Sequence, residues 1–452
     1  LSPKPLRTEG YRKMRTDTEK TVIKKIKRAN TDWWIREKAV VGDNGMTYMV
    51  FCTDTGEIHI AEADFRAPRR AVRDYCLSRL NHDYADEHNS PSLCILPDGR
   101  LVVAYAGHAA HGLSMRISER SFDIYSFAPE RSLDFDGSVT YAQMFFNTAR
   151  GELWLFCRVS RVTWQFRCSR DGGKSFTAPR TFIHSDAGGL YYADIRRQLT
   201  ATHDLVSERF VFAVYGHPVK SADHTIRTGM ISADGEFLRM DGSTLGVSLF
   251  HGTGLLDIDS LDAAYSAPAG STVRLLSVAP TVPPRIVFAA FRYPDDTEAV
   301  YRVATWRDGA WQISGDIAGS GAFLSDNDSY GRPVRDGSET YVCGAEFYWG
   351  IGAPAFRRDT PAHTDGDSLY LIRKRQDEKW VMERYVSQDC GKTYEFEHTV
   401  HTAADGHKLW RPVVPVYAQD EMPVYCHEGI YGAYKGGWHC DMIMPTETDG
   451  CF

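Results

Sequence analysis

Two short stretches far apart in the chain follow one pattern: SRDGGKSF at 169–176 and SQDCGKTY at 387–394, both S-x-D-x-G-x-[ST]-aromatic. In such a turn the Ser and Asp side chains bond the local backbone and the Gly takes positive φ. The aromatic then folds back onto a sheet. A turn of this kind joins two antiparallel strands, so its recurrence predicts a repeated β unit. The rest of the chain agrees: short β-rich runs alternate with turn signals, aromatics make up 12% of residues, and convincing amphipathic helices are scarce.

The paired motif is the Asp-box, similar to that of the sialidase-like β-propellers, with Phe176 and Tyr394 in place of the usual Trp. Asp171 and Asp389 are therefore read as structural. Propeller blades are four-stranded and recur about every 40–60 residues. Blade cores are expected to begin near Met46, Ser90, Tyr141, Tyr192, Thr272, Gly331 and Trp410. The predicted fold is all-β, a single propeller domain over residues 1–452 with seven blades, six being the alternative. Residues 1–30 are expected to be an N-terminal extension or closing segment.

Three consecutive hairpins place polar residues at their open ends. In DEHNSPSLCILPDGRLVVAYAGH (86–108) the turn centre between Asp98 and Gly99 sets His88 and His108 on adjoining rungs. In TYAQMFFNTARGELWLFCR a centre between Ala149 and Arg150 sets Tyr141 opposite Arg158. A third hairpin, with its loop centred near Asp204 and Leu205, sets Tyr192 opposite His217. In a propeller, first strands begin and second strands end on one face, so these six side chains are expected to converge there. Arg292, Arg332 and Arg411, by the same rule, add positive charge, and Asn89 lies beside His88; these four join His217 as expected substrate-binding residues.

Two His, two Tyr and an Arg without an acidic dyad fit poorly with hydrolysis by paired carboxylates. They fit elimination from a uronic acid. Arg neutralises the C6 carboxylate and so acidifies the C5 proton, a neutral His accepts that proton, and Tyr or the second His protonates the departing O4. The expected catalytic set is His88, His108, Tyr141, Arg158 and Tyr192.

Together, DEHNSPSL…PDGRLVVAYAGH, TYAQ…GELWLFCR and YYADI…FVFAVYGHP resemble the BNR-repeat seven-bladed propeller polysaccharide lyases. That group includes ulvan lyases and the L-rhamnose-α-1,4-D-glucuronate lyases that trim arabinogalactan-type gums. The resemblance covers roughly residues 80–220 by motif. It implies that His88 and His108 match the family's histidine pair, Tyr141 its tyrosine and Arg158 its carboxylate neutraliser. Cys157 stands where relatives often carry an aromatic, and no strongly basic canyon for a sulfated polymer is evident. The expected substrate is therefore a rhamnosyl-glucuronate of gum type, with an endo-acting ulvan lyase as the alternative. A sialidase-like hydrolase is the next reading, but no Arg-Ile-Pro motif occurs, PPRIVF at 283–288 being the nearest approach. A non-catalytic glycan-binding propeller is the last.

The net charge of -7 argues against nucleic acid as a partner. No apolar stretch of about 18 residues is present, so no membrane-spanning helix is expected. The basic, polar N-terminus lacks the apolar core of a signal peptide. The start at Leu1 and the sequon Asn327-Asp328-Ser329 are nevertheless compatible with a secretory route, and secretion is the expectation. The expected partner is a uronate-containing saccharide, and the chain is expected to act as a monomer. Ten cysteines occur without a C-x-x-C; most read as core thiols, with a disulfide among Cys426, Cys440 and Cys451 left open. The pairs Cys426-His427 and His439-Cys440 are poorly spaced for zinc. No cofactor is required by the chemistry, and a structural Ca2+ in or near the channel stays open.

Overall fold

The computed structural model describes residues 22–31, 36–67, 70–79, 86–160, 162–184, 191–198, 209–216, 224–252, 254–269, 271–279, 282–292, 298–321, 345–348, 367–417, 424–431 and 438–446. Among these the regular structure is β, apart from two short 3-10 turns at Glu87–Asn89 and Ile258–Ser260. The described strands form six sheets. Most are antiparallel meanders, the arrangement expected when short loops join sequential strands.

The first sheet holds Ala39–Val41, Thr47–Thr53, Glu57–Ala63 and Arg73–Arg79, with Ala29–Asn30 also on Thr47–Thr53. The second runs through seven strands, from Ser92–Ile95 to Arg180–His184. Its 17-residue strand Arg131–Asn147 pairs with Ala110–Ile117 through its first part and with Glu152–Val159 through its second. The next sheets begin with Tyr191–Gln198, Ser271–Ala279 and Ala345–Tyr348. The last contains Lys408–Val413, Tyr425–Tyr431 and Trp438–Thr446, and is completed by Val22–Ile26, which pairs antiparallel with Trp438–Thr446. The chain's first described strand thus lies beside its last.

First strands of neighbouring sheets pack together: Tyr191–Gln198 on Ser271–Ala279, that strand on Ala345–Tyr348, and Ala345–Tyr348 on Lys408–Val413. The result is a propeller-like all-β arrangement. At its centre, Arg36–Val41 runs against several sheets at once. The Met144 N–H donates to the Arg36 carbonyl, the Leu93 N–H to that of Glu37, and the Val41 N–H to that of Val416. Between sheets the filling is aromatic and aliphatic. Trp154, fully buried, stacks on Phe210 of the next sheet with centroids 4.9 Å apart. Each such side chain contributes about 1.5–3 kcal/mol of transfer free energy.

Both repeated turns have the predicted chemistry. The Ser169 hydroxyl donates to Asp171 and accepts from the Gly173 N–H at 2.7 Å, while Asp171 accepts from the Ser175 N–H and hydroxyl. Ser387, Asp389, Gly391 and Thr393 repeat these bonds. Gly173 (φ 87°) and Gly391 (φ 82°) take the left-handed conformation that the tight turn requires. Phe176 and Tyr394 fold back onto apolar clusters of their sheets.

The structure revises several expectations. Cys426 and Cys440 are buried thiols outside any disulfide, and Cys451 lies outside the described residues. Neither Cys426-His427 nor His439-Cys440 joins a cluster of three ligating side chains among the described residues. The expected blade start at Gly331 lies outside the described residues, and the first strand described in that region is Ala345–Tyr348.

Candidate active site

The hairpin of Ser92–Ile95 and Leu101–Tyr105 pairs Ser92 with Ala104 and Ile95 with Leu101. This register is one residue away from the predicted one, because the turn is centred on Asp98. His88 and His108 are therefore equidistant from the turn, just beyond the paired rungs. Their rings stack in parallel, 4.1 Å between centroids and 7° between planes.

What holds the two rings is a residue the sequence reading overlooked. Asp86 is buried at their Nδ1 edges and bridges them, with Oδ1 2.5 Å from His88 Nδ1 and Oδ2 2.9 Å from His108 Nδ1. Asp86 also accepts the His88 backbone N–H, and its own carbonyl accepts from the Asn89 N–H, which winds the turn that carries His88. Burial alone would push the Asp86 carboxyl up; the charge of His88 and the bonds from both imidazoles outweigh it and hold the carboxyl well below its usual range. For His108 burial dominates and depresses the ring's pKa, with the bond to Asp86 opposing. A neutral ring with Nδ1–H pointing at Asp86 presents its lone pair on Nε2. The available signal was the acid two positions before His88 in D-E-H, a spacing that folds back easily at a turn.

Asn89, expected to meet substrate, is 1% exposed, and its Oδ1 accepts the His108 N–H at 2.7 Å. In this structure it positions His108.

Tyr141 and Arg158 come from the next hairpin. Here Arg158 pairs with Thr140, and Gln143 with Phe156, leaving Tyr141 and Ala142 in a bulge. Tyr141 takes a φ of 62°, the left-handed region that side chains with a Cβ avoid. A bulge re-aims a side chain, and here the Tyr141 ring lies beneath the guanidinium, 4.3 Å from Cζ to centroid. The Tyr192 ring lies 5.4 Å from the same Cζ. Tyr141 is also 5.7 Å from the His88 ring and 6.0 Å from that of Tyr192, which makes the cluster continuous.

Arg158 is 5% exposed, and among the described residues it forms no ion pair; its buried Nε has no hydrogen-bond partner. Burying a cation without a counter-charge costs several kcal/mol, and two ring faces repay about 1–2 kcal/mol each. The site therefore holds a desolvated guanidinium suited to a carboxylate from outside.

The third hairpin departs from its predicted register by two residues. Tyr192 pairs with Tyr215, the rings stacked at 5.5 Å, and His217 lies outside the described residues. Arg292 ends the strand Arg285–Arg292, and only its backbone is described; Arg332 lies outside the described residues. Arg411 shares the backbone habit of Tyr141, a bulge with φ 51°, but is buried beside His427 and donates to the Thr31 carbonyl at 2.7 Å. Five of the predicted residues, His88, His108, Tyr141, Arg158 and Tyr192, thus form one contiguous group with Asp86 at its base.

Comparison with known proteins agrees with this fold. Residues 46–170 match the model of the BNR repeat-containing family. A search of curated proteins by sequence found no match. Among solved structures, a PL25 ulvan lyase bound to -[GlcA(1-4)Rha3S]- superposes with a TM-score of 0.65 at 14% identity, covering 94% of each chain. The polysaccharide lyase Uly1 follows with a TM-score of 0.52 at 12% identity, over 92% of this chain and 90% of that one. Over residues 46–170 the chain resembles the BNR repeat-containing family, and over nearly all its length it has the propeller fold of these polysaccharide lyases.

Proposed function

We propose that this protein is a polysaccharide lyase that cleaves an α-L-rhamnosyl-(1→4)-D-glucuronate linkage by β-elimination. The observation that carries the reading is Arg158: a buried guanidinium with no carboxylate partner among the described residues, set beside Tyr141 and near an Asp-braced histidine pair.

Arg158 grips the C6 carboxylate of the glucuronate and draws charge from C5. Neutral His108 takes the C5 proton on Nε2. The C–H electron pair becomes the C4=C5 double bond as the C4–O4 bond breaks, and Tyr141 gives its hydroxyl proton to O4. H5 and O4 lie on one face of a glucuronate ring, so a cluster on one side serves both steps. Asp86 keeps both Nδ1–H groups engaged and the rings in place, Asn89 sets the height of His108, and Tyr192 flanks the guanidinium. No cofactor enters these steps.

The same reading takes the ring as seven blades in a single domain. Strand Arg131–Asn147 ends one blade with its first half and starts the next with its second, and Val22–Ile26 closes the last blade. A secreted monomer acting on gum-type side chains completes the proposal. The ulvan reading draws support from the sugar in the similar lyase structure.

The test is incubation with gum arabic and, separately, with ulvan, following the ultraviolet absorbance of the unsaturated uronate. Absorbance rising with gum arabic supports the proposal as stated. A rise with ulvan alone moves the substrate and keeps the chemistry. New reducing ends without absorbance overturn elimination.

A further inference from the structure

We propose that Glu57, His59 and Cys76 form a zinc-type metal site on the first sheet, separate from the histidine pair. Glu57 and His59 alternate along strand Glu57–Ala63 and so point to one face, and Cys76 of the edge strand Arg73–Arg79 is the register partner of His59. One ligating atom from each side chain lies within 4.8 Å of the other two.

The details suit a metal better than a chance cluster. His59 Nδ1 is 2.9 Å from Asp74 Oδ2, the carboxylate contact that fixes the tautomer of a metal-binding histidine and leaves Nε2 as the ligand. That Nε2 stands 3.4 Å from Glu57 Oε2. This is long for a hydrogen bond, but two ligands about 2.0–2.1 Å from one tetrahedral zinc lie about 3.3 Å apart. The other Glu57 oxygen is 3.1 Å from Arg79 Nε, so Oε2 is the one left for the ion. The His59 ring is held against Phe51, centroids 5.4 Å apart.

A thiolate, an imidazole and a carboxylate select zinc-like ions over calcium or magnesium. Binding releases the Cys76 thiol proton to solvent, and the anions of Cys76 and Glu57 balance the ion's two charges. The site is partly exposed, so water takes the fourth position. The ion ties the sheet's outermost strand to its neighbour.

Co2+ titration of the chelator-treated full-length protein tests the site directly. The expected result is one equivalent bound, with a thiolate-to-cobalt charge-transfer band and tetrahedral d–d bands that Zn2+ abolishes. Cys76→Ala should lose the charge-transfer band, and Asp74→Asn should weaken binding about 10–100-fold. His88→Ala should keep the band, because the Asp86–His88–His108 group contains no sulfur. Zn2+ should raise the melting temperature of the parent protein and not that of folded Cys76→Ala. If Cys76→Ala fails to fold, His59→Gln replaces it, with loss of tight binding expected. Absence of the charge-transfer band in the parent protein, or its persistence in Cys76→Ala, overturns the proposal.

Discussion

Arg158 and Arg36 are buried almost equally, at 5% and 2% exposure, yet their surroundings differ completely. Arg36 meets Asp194 with two hydrogen bonds, 2.9 and 3.2 Å, and Arg196 reaches the same carboxylate at 3.3 Å. Burial would push the Asp194 carboxyl up, but the two guanidinium charges outweigh it and hold it low. Val278 N–H adds a fourth bond to that carboxylate. Arg158 has aromatic faces instead. One arginine is satisfied by the fold and ties sheets together across the centre. Among the described residues the other has no counter-charge, as a site for an incoming anion requires. Burial alone does not set the two arginines apart; the counter-charge among the described residues does.

The largest effect is expected from breaking the satisfied arginine. Arg36→Ala leaves Asp194 buried beside Arg196 alone, a loss of about 3–5 kcal/mol. Urea unfolding should show it as a lower midpoint. An unchanged midpoint would erase the contrast between the two arginines.

Next comes Arg158→Ala, for which kcat/KM on the proposed uronate substrate should fall about 10²–10³-fold, as for other lost anion-stabilising donors. Its melting temperature should hold or rise, because an uncompensated charge is removed. A variant that unfolds instead would place Arg158 with Arg36, as a structural residue.

A pH profile sharpens the comparison further. His108 is depressed below the ordinary histidine value of 6.5, so the acid limb of kcat/KM should lie under pH 6.5, activity falling as protons occupy Nε2. Asp86→Asn removes an anion that favours the protonated ring. The acid limb should then move to still lower pH while kcat drops, since the ring is no longer fixed. An acid limb that moves upward would contradict the assigned roles.

The smallest effect belongs to the repeated turns. Ser169→Ala strands the Gly173 N–H and should cost about 1 kcal/mol in unfolding experiments. Turnover should not change.

Much of this was legible in the sequence. The Ser-Asp-Gly turns carry their own bonding instructions over a few residues, and hairpin spacing pointed to His88, His108, Tyr141, Arg158 and Tyr192 as one group. The misreadings came from local departures. One residue of turn placement replaced His217 with Tyr215 opposite Tyr192. The left-handed φ at Tyr141 belongs to a residue whose type disfavours it, so composition offers no cue. A lone acid before a turn reads as a cap, and only the folded chain shows Asp86 bridging the Nδ1 atoms of two histidines.

Strand rhythm, turn chemistry and the existence of polar strand ends are properties of neighbouring residues, so the order of amino acids determines them directly. Which polar ends meet is a different matter. Asp194 lies 158 positions from Arg36 and is satisfied by it, while Arg158 is left to two tyrosines. Such pairings depend on which sheets become neighbours around the axis, a result of packing the whole chain. Only the tertiary structure could decide which arginine meets a carboxylate among the described residues and which meets aromatic rings.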